Sequence, residues 1–251
     1  MGLIGRNGAG KSTTLKCILN LVHPSRGNVE ILGMPFSEHE KEIKQNIGYA
    51  AGGIGYYQRK RICDIVSVTR GFYSNWDNDV YLRNLKRFSL DEEKRLMDLS
   101  EGMKVKCNLT LALSHHAKLL ILDEPTSGLD PVSREELLEI FLDLAAQGVS
   151  ILFSTHITSD LEQCADAVTY IRNGRVTASK KTEDFIGAYR LVPASAEASA
   201  AQRQAYLGVC RARDGDTALI ACEDSHLFPF AQLQIPDLQT VMVHLEKEGA
   251  Q

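Results

Sequence analysis

Apolar and polar positions along the chain alternate between two periods, and the switches between them divide it into elements. Residues 1–4 form a short apolar run, a glycine-rich stretch follows, and apolar residues then recur at helical spacing over 15–21. That order predicts strand, loop, helix. Pro24-Ser25-Arg26-Gly27 signals a turn, residues 28–32 read as a strand closed by Gly33, and the polar stretch 37–46 as a short exposed helix. Ile47-Gly48-Tyr49 begins another strand, which enters Ala50-Ala51-Gly52-Gly53-Ile54-Gly55. Helical periodicity dominates 62–99, with Ser89-Leu90-Asp91-Glu92 as a capping box for the last helix there, and resumes from 102 to about 116.

Residues 119–122 are continuously apolar, as suits a parallel strand covered on both faces. Asp130-Pro131 supplies an N-cap and a proline at the first helical position. The helix that follows places Leu137, Leu138, Phe141, Leu142 and Ala145 on its buried side and ends near Gly148. Residues 149–153 are a further buried strand, a helix starts around Thr158, and Asn173-Gly174 predicts a hairpin between 167–171 and 176–178. Such alternation predicts an α/β domain with a largely parallel sheet. Character changes near residue 190. The small-residue stretch 193–201 reads as a linker or a helix start, and 207–212 and 217–222 flank Asp214-Gly215 as a hairpin. Leu238, Val241, Met242 and Leu245 form one face of a closing helix capped by Asp237, which completes a small α+β appendage.

Composition narrows the function. At 251 residues and 44% hydrophobic the chain can bury a full core, and a net charge of −4 gives no support for nucleic-acid binding. No apolar run approaches the length of a membrane span, so any membrane role is expected to run through a partner. Cysteines 17, 63, 107, 164, 210 and 222 form no C-x-x-C pair, which fits reduced packing thiols in a cytosolic protein rather than a cysteine metal site.

The candidate chemistry lies where strands meet loops. Gly5-Arg6-Asn7-Gly8-Ala9-Gly10-Lys11-Ser12-Thr13 matches G-x-x-x-x-G-K-[ST] between an apolar run and a helical pattern. Glycines let backbone N–H groups converge on phosphate oxygens, the helix N-terminus adds positive potential, Lys11 reaches the β- and γ-phosphates and Ser12 offers a hydroxyl to Mg²⁺. The strand at 119–122 ends in Asp123-Glu124-Pro125, and adjacent carboxylates there are costly unless they meet a cation or polar groups. With Lys11 and Ser12 upstream, Asp123 is expected to hold Mg²⁺ and Glu124 to polarise the attacking water. His156 ends the next apolar strand and is expected to donate to the γ-phosphate.

Taken in order, these motifs resemble the nucleotide-binding subunit of an ATP-binding cassette (ABC) transporter over roughly residues 1–185: the P-loop at 5–12, a signature at Leu99-Ser100-Glu101-Gly102-Met103, the Walker B strand at 119–124, a D-loop at Ser127-Gly128-Leu129-Asp130 and an H-loop at His156. The resemblance implies an ABC-type P-loop NTPase fold over 1–190, with a helical subdomain at about 56–116 and an accessory domain over 191–251. It is similar in particular to ATPase subunits of multidrug or antibiotic-resistance exporters. It implies hydrolysis of ATP to ADP and phosphate, coupled to transport through a separate membrane permease, with the chain peripheral on the cytoplasmic face. Two subunits, identical or not, would sandwich two ATP molecules. Gly5, Asn7, Gly8, Gly10, Lys11, Ser12 and Thr13 of one would face Ser100, Gly102 and Asp130 of the other, and the helical subdomain would meet the permease.

The sequence departs from the family pattern in three places. Glu101 and Met103 replace a common Gly and Gln in the signature, while Ser100 and Gly102 remain. The expected Mg²⁺-contacting glutamine falls near Gly52, with Gln58 several residues on and neither assigned. Only four residues precede the P-loop, where the family has two strands and an aromatic platform for adenine, so the expectation is a start farther upstream or a fragment, ahead of another adenine surface. Two other function classes stay open. A non-transport ABC ATPase acting on DNA or ribosomes usually has paired cassettes or a long coiled coil, and neither pattern occurs here. A regulatory module would bind nucleotide without turnover.

Overall fold

The continuous apolar runs assemble side by side as a parallel sheet. A computed structural model describes residues 1–51, 57–195, 197–211, 213 and 215–247. Contacts divide the chain into two units, Met1–His156 and Ile157–Gln251. This packing division falls earlier than the change of sequence character near 190.

The first unit contains β1 (Gly2–Ile4), α1 (Lys11–Ile18), β2 (Glu30–Ile31), β3 (Met34–Pro35), α2 (Phe36–Gln45), β4 (Ile47–Ala51), α3 (Ile62–Thr69), α4 (Asn78–Arg87), α5 (Glu101–Ser114), β5 (Leu119–Asp123), α6 (Pro131–Ala146) and β6 (Ser150–Thr155). Four of its strands form one sheet in the order β4-β5-β6-β1, all parallel. Leu120, Ile121 and Leu122 on β5 are almost wholly buried, as the apolar run requires of a central strand covered on both faces. Register places Ile4 beside Thr155 and Asp123 beside Ser154, so β1, β5 and β6 end level with one another. Gly48 on β4 is required by close approach: a Cβ there would lie 2.3 Å from the Cβ of Ala112 on α5.

Several boundaries differ from the periodicity, each for a local reason. Helix α1 stops at Ile18 because Asn20 turns left-handed (φ +56°), and Leu21 N–H then donates to Lys16 O. The 28–32 strand shrinks to β2, which turns back through Leu32 and Gly33, both left-handed, to pair with β3. The 62–99 stretch divides into α3, a 3-10 turn at Arg70–Phe72, α4, and a further 3-10 turn at Leu96–Asp98. The capping box at 89–92 does not form. Ser89 is left-handed (φ +52°), and Leu90 N–H donates back to Leu85 O, which closes the end of α4 as a Schellman motif with Leu90 buried. Helix α6 buries Leu137, Leu138, Ile140, Phe141 and Leu144, whereas Leu142 and Ala145 face outward.

The second unit contains α7 (Thr158–Cys164), β7 (Ala167–Arg172), β8 (Arg175–Lys181), α8 (Thr182–Gly187), β9 (Tyr189–Pro193), α9 (Ala200–Gln204), β10 (Gly208–Cys210), β11 (Thr217–Ala221) and α10 (Leu238–Glu246). Asn173 and Gly174, both left-handed, join β7 to β8 as the Asn-Gly signal predicts. The appendage forms an antiparallel sheet β10-β11-β9, with Gly208 paired to Leu219. Helix α10 lies so close to β10 that a Cβ on Gly208 would meet the carbonyl oxygen of His244 at 2.0 Å. Its expected face, Leu238, Val241, Met242 and Leu245, is buried. The glycine stretch 52–55, Ala196, Ala212 and Asp214 lie outside the described residues. No helix among those described is long and apolar enough to cross a membrane.

Candidate functional site

A parallel sheet presents its ligands beyond the carboxyl ends of its strands, and the level ends of β1, β5 and β6 gather the candidate residues there. After β1 the chain enters the loop 5–10. Gly8 and Gly10 are left-handed (φ +83° and +109°), so the backbone folds over the start of α1, where Ala9 N–H donates to Arg6 O at 3.1 Å. Lys11, the first residue of α1, is 5% exposed. Its ammonium donates to Gly5 O at 2.8 Å and lies 3.2 Å from Glu124 Oε1. A cation buried to this degree needs such partners.

One residue on, the Ser12 hydroxyl donates to Asp123 Oδ1 at 2.9 Å. The Ser154 hydroxyl donates to the same oxygen at 2.6 Å and accepts from Glu124 N–H at 3.0 Å. Ser154 is fully buried and ties the ends of β5 and β6 together. Its role is not among those expected from the sequence, although a polar Ser-Thr-His run closing an apolar strand is a readable signal.

Glu124 has φ +51°, an uncommon conformation for a non-glycine residue. It is held from every side. Its N–H meets Ser154, its carbonyl accepts from Ser127 N–H at 3.2 Å, Lys11 takes Oε1, and His156 Nδ1 lies 2.7 Å from Oε2. An ionised carboxylate only accepts hydrogen bonds, so Nδ1 carries the proton in this contact. A neutral ring then presents Nε2 as an acceptor. Donation from Nε2 to a phosphate, with the Glu124 contact kept, requires the doubly protonated imidazolium, a condition the sequence alone did not impose.

The cleft so formed, about 310 Å³, is lined by the loop residues Arg6, Asn7, Gly8 and Gly10, then by Lys11, Ser12 and Thr13, and opposite them by Glu124, Ser127 and His156. Arg6 and Ser127 are additions to the expected set. Ser100, Gly102 and Asp130 do not line it. Ser100 caps α5 by accepting from Met103 N–H at 3.3 Å, and Gly102 is buried near Ser133 and Leu129. Asp130 caps α6 by accepting from Val132 and Ser133 N–H, both at 3.1 Å, and the hydrogen bonds from Ser133 hold its carboxyl below the usual range. Gln58 is exposed, outside the cleft lining, and Gly52 lies outside the described residues.

The donor set suits a hard divalent cation. Ser12 and Asp123 offer oxygen ligands, Asp123 is 8% exposed, and among the described residues it meets two hydroxyls but no cationic side chain. Among those residues there is also no group of three or more His, Cys, Asp or Glu side chains able to hold a metal by themselves. A site of this kind needs ligands beyond the protein's own, as phosphate oxygens and water supply in nucleotide sites.

Comparison with known proteins points the same way. The family model described as ABC transporter matches residues 1–127. A bacitracin transport ATP-binding protein of Bacillus licheniformis is 35% identical over 70% of this chain and 58% of its own length. An ABC transporter ATP-binding protein of Bacillus subtilis is 30% identical over 70% and 60% respectively. A Nod factor export ATP-binding protein of Neorhizobium galegae is 33% identical over 74% and 56%. The chain therefore spans less than two thirds of these relatives. A solved structure described as an ATP-binding subunit of an ABC transporter superposes with a TM-score of 0.65 at 32% identity, over 73% of this chain and 78% of that one. An ATP-binding cassette solved as a dimer in a post-hydrolysis state with ADP and Pi superposes with a TM-score of 0.59 at 21% identity, over 72% of this chain and 84% of that one, which speaks for the fold alone.

Proposed function

The chain belongs to the ABC transporter family, and from that premise we propose that it binds ATP with Mg²⁺ and hydrolyses it as the motor subunit of an exporter. The observation that carries this reading is the convergence on Glu124: Lys11 and His156 grip its two oxygens while Ser12 meets the neighbouring Asp123. Lys11 releases Glu124 to meet the β- and γ-phosphates, cradled by the N–H groups of Gly5, Asn7, Gly8, Gly10 and Thr13. Glu124 accepts a proton from the attacking water, and His156 fixes its orientation through Oε2 and reaches the γ-phosphate. Ser154 holds Asp123 and the Glu124 backbone in place. Ser12 and Asp123 would hold Mg²⁺, which when bound offsets phosphate charge.

The site in one chain lacks the signature, because Ser100, Gly102 and Asp130 stand outside the cleft. We infer that a second subunit supplies them in trans, closing two ATP molecules into a sandwich. The functional nucleotide-binding region is read as 1–190, with its helical segment at 56–116 docking a separate permease and 191–251 as an accessory domain. On this reading the subunit works at the cytoplasmic face of a membrane. Relatives named for bacitracin transport and Nod factor export support an exporter.

Sizing of Glu124→Gln with and without ATP, beside Mg-ATPase assays of both proteins, tests the reading. Removing the base should cut turnover by about 10²-fold or more and let ATP double the mass. Turnover equal to that of the parent overturns Glu124 as base. Absence of ATP binding in the parent overturns the motor reading for this chain.

A further inference from the structure

Another concavity lies at the opposite end of the parallel strands, where β5 and β6 begin. Helix α4 and the carboxyl ends of α5 and α6 enclose a cleft of about 930 Å³ there. Lys118 and Val149, which line it, immediately precede β5 and β6, whereas Glu124 and His156 follow the ends of those strands. Strands of this length separate the two clefts by roughly 16 Å.

The rim carries Arg83, Lys86 and Arg87 from α4, and His116 and Lys118 from the loop before β5, and no carboxylate is among its described lining residues. In a chain of net charge −4 this is a local concentration of positive charge. Arg87 is tied to Asp143 at 2.7 Å and His116 to Asp77 at 3.4 Å. Arg83 also acts electrostatically on Asp77, and among the described residues no ion pair engages Lys86 or Lys118. The floor is apolar, formed by Leu113, Leu144 and Val149.

Cations at helix carboxyl ends often serve only the macrodipole, so that explanation has to be weighed first. Each helix end presents about half a negative charge, and three converge here. They offset fewer than two of the four fixed cations, Asp143 offsets Arg87, and Asp77 lies within electrostatic reach of Arg83. Their carbonyls are also engaged already, since Ala117 N–H donates to Ala112 O and Val149 N–H to Leu144 O. A smaller surplus of positive charge, centred on Lys86 and Lys118, remains over an apolar floor.

The same helix ends select the partner. Compact polyanions such as triphosphate favour helix N-termini and convergent N–H groups, which this cleft lacks. One or two separated carboxylates can reach the rim guanidinium and ammonium groups while an apolar side chain between them covers the floor. We propose that this cleft docks an acidic segment of a partner protein, with carboxylates flanking an apolar anchor. The proposal stands independently of ATP hydrolysis.

Selection of displayed random octapeptides on the purified chain tests it, followed by anisotropy measurements with the enriched peptides. Enrichment of Asp or Glu around a Leu, Ile or Phe is expected. Lys86→Glu with Lys118→Glu should weaken those peptides at least tenfold, Lys86→Ser with Lys118→Ser should do so less, and Lys86→Arg with Lys118→Arg should retain them. ATP binding and melting temperature of each variant report that the fold is intact. Enrichment without acidic residues, or equal peptide affinity in the charge-reversed variant, overturns the proposal. Binding of tripolyphosphate or phosphatidylglycerol vesicles in place of any peptide reassigns the cleft to phosphate-bearing ligands and overturns it as well.

Discussion

Glu124 shows how much a single position can demand of its surroundings. A left-handed backbone at a non-glycine residue costs on the order of 1–3 kcal/mol, and here hydrogen bonds to N–H, carbonyl and both carboxylate oxygens hold it. Lys11→Ala removes one of those contacts together with the expected phosphate contact. It should weaken ATP binding at least tenfold in a calorimetric titration, and unchanged affinity would remove Lys11 from the site. A different residue sets an acid limit on stability. His115 is 2% exposed, stacks on Tyr73 with centroids 3.7 Å apart, and shares a hydrogen bond with Gln45 O. Burial lowers its pKa to about 4 from an ordinary value near 6.5. The native state therefore resists a proton that the unfolded chain accepts, so the contribution of His115 is complete above pH 6.5 and is lost as pH falls toward 4. The loss is on the order of 3 kcal/mol. Urea unfolding at pH 7 and pH 4 should show this difference in the parent and a smaller one in His115→Phe.

At the scale of elements, helix ends decide more than helix interiors do. Ser89 reads as the start of a helix, yet in the fold it ends one, because Leu90 gains burial by turning back onto α4. Gly suits that left-handed position better than Ser, so Ser89→Gly should raise stability by about 0.5–1 kcal/mol in denaturant titration. A loss would show that the Ser89 side chain contributes a contact of its own. Asp130 separates two roles that share one side chain. As N-cap of α6 its replacement by Ala should cost about 1 kcal/mol, whereas Asn should keep most of the cap. If Asn restores stability but not ATPase activity, the carboxylate acts beyond the cap, as expected for a residue contributed to the partner's site. If both return together, the cap accounts for it.

At the scale of the whole molecule, each of the two units brings its own elements close together through a glycine. Gly48 lets β4 lie against α5, joining the helical segment to the sheet. Gly48→Ala forces a contact with Ala112 and Leu120 and should cost about 1–3 kcal/mol, visible as a lowered urea midpoint with unchanged slope. In the second unit Gly208 serves α10, which presses its backbone onto β10.

Much of this was legible in one dimension. The P-loop, the Asp-Glu pair, the buried strands and the Asn-Gly hairpin all depend on local periodicity or on residue types that few other conformations tolerate, so the sequence alone determined the α/β class and named the candidates for the site. What it could not supply depends on distant neighbours. Ser154 acquires its role only because β5 and β6 align in register, and the Nδ1 proton of His156 is assigned only by Glu124 lying beside it. The orientation of α6 differs because Ile140 and Leu144, rather than Leu142 and Ala145, meet the core. The basic cleft was invisible because its cations come from α4 and from a loop some thirty residues later, each ordinary as a solvated charge. Short-range chemistry can be read along the chain. Burial, register and the convergence of charge are properties of the folded packing, and only the tertiary structure decided them.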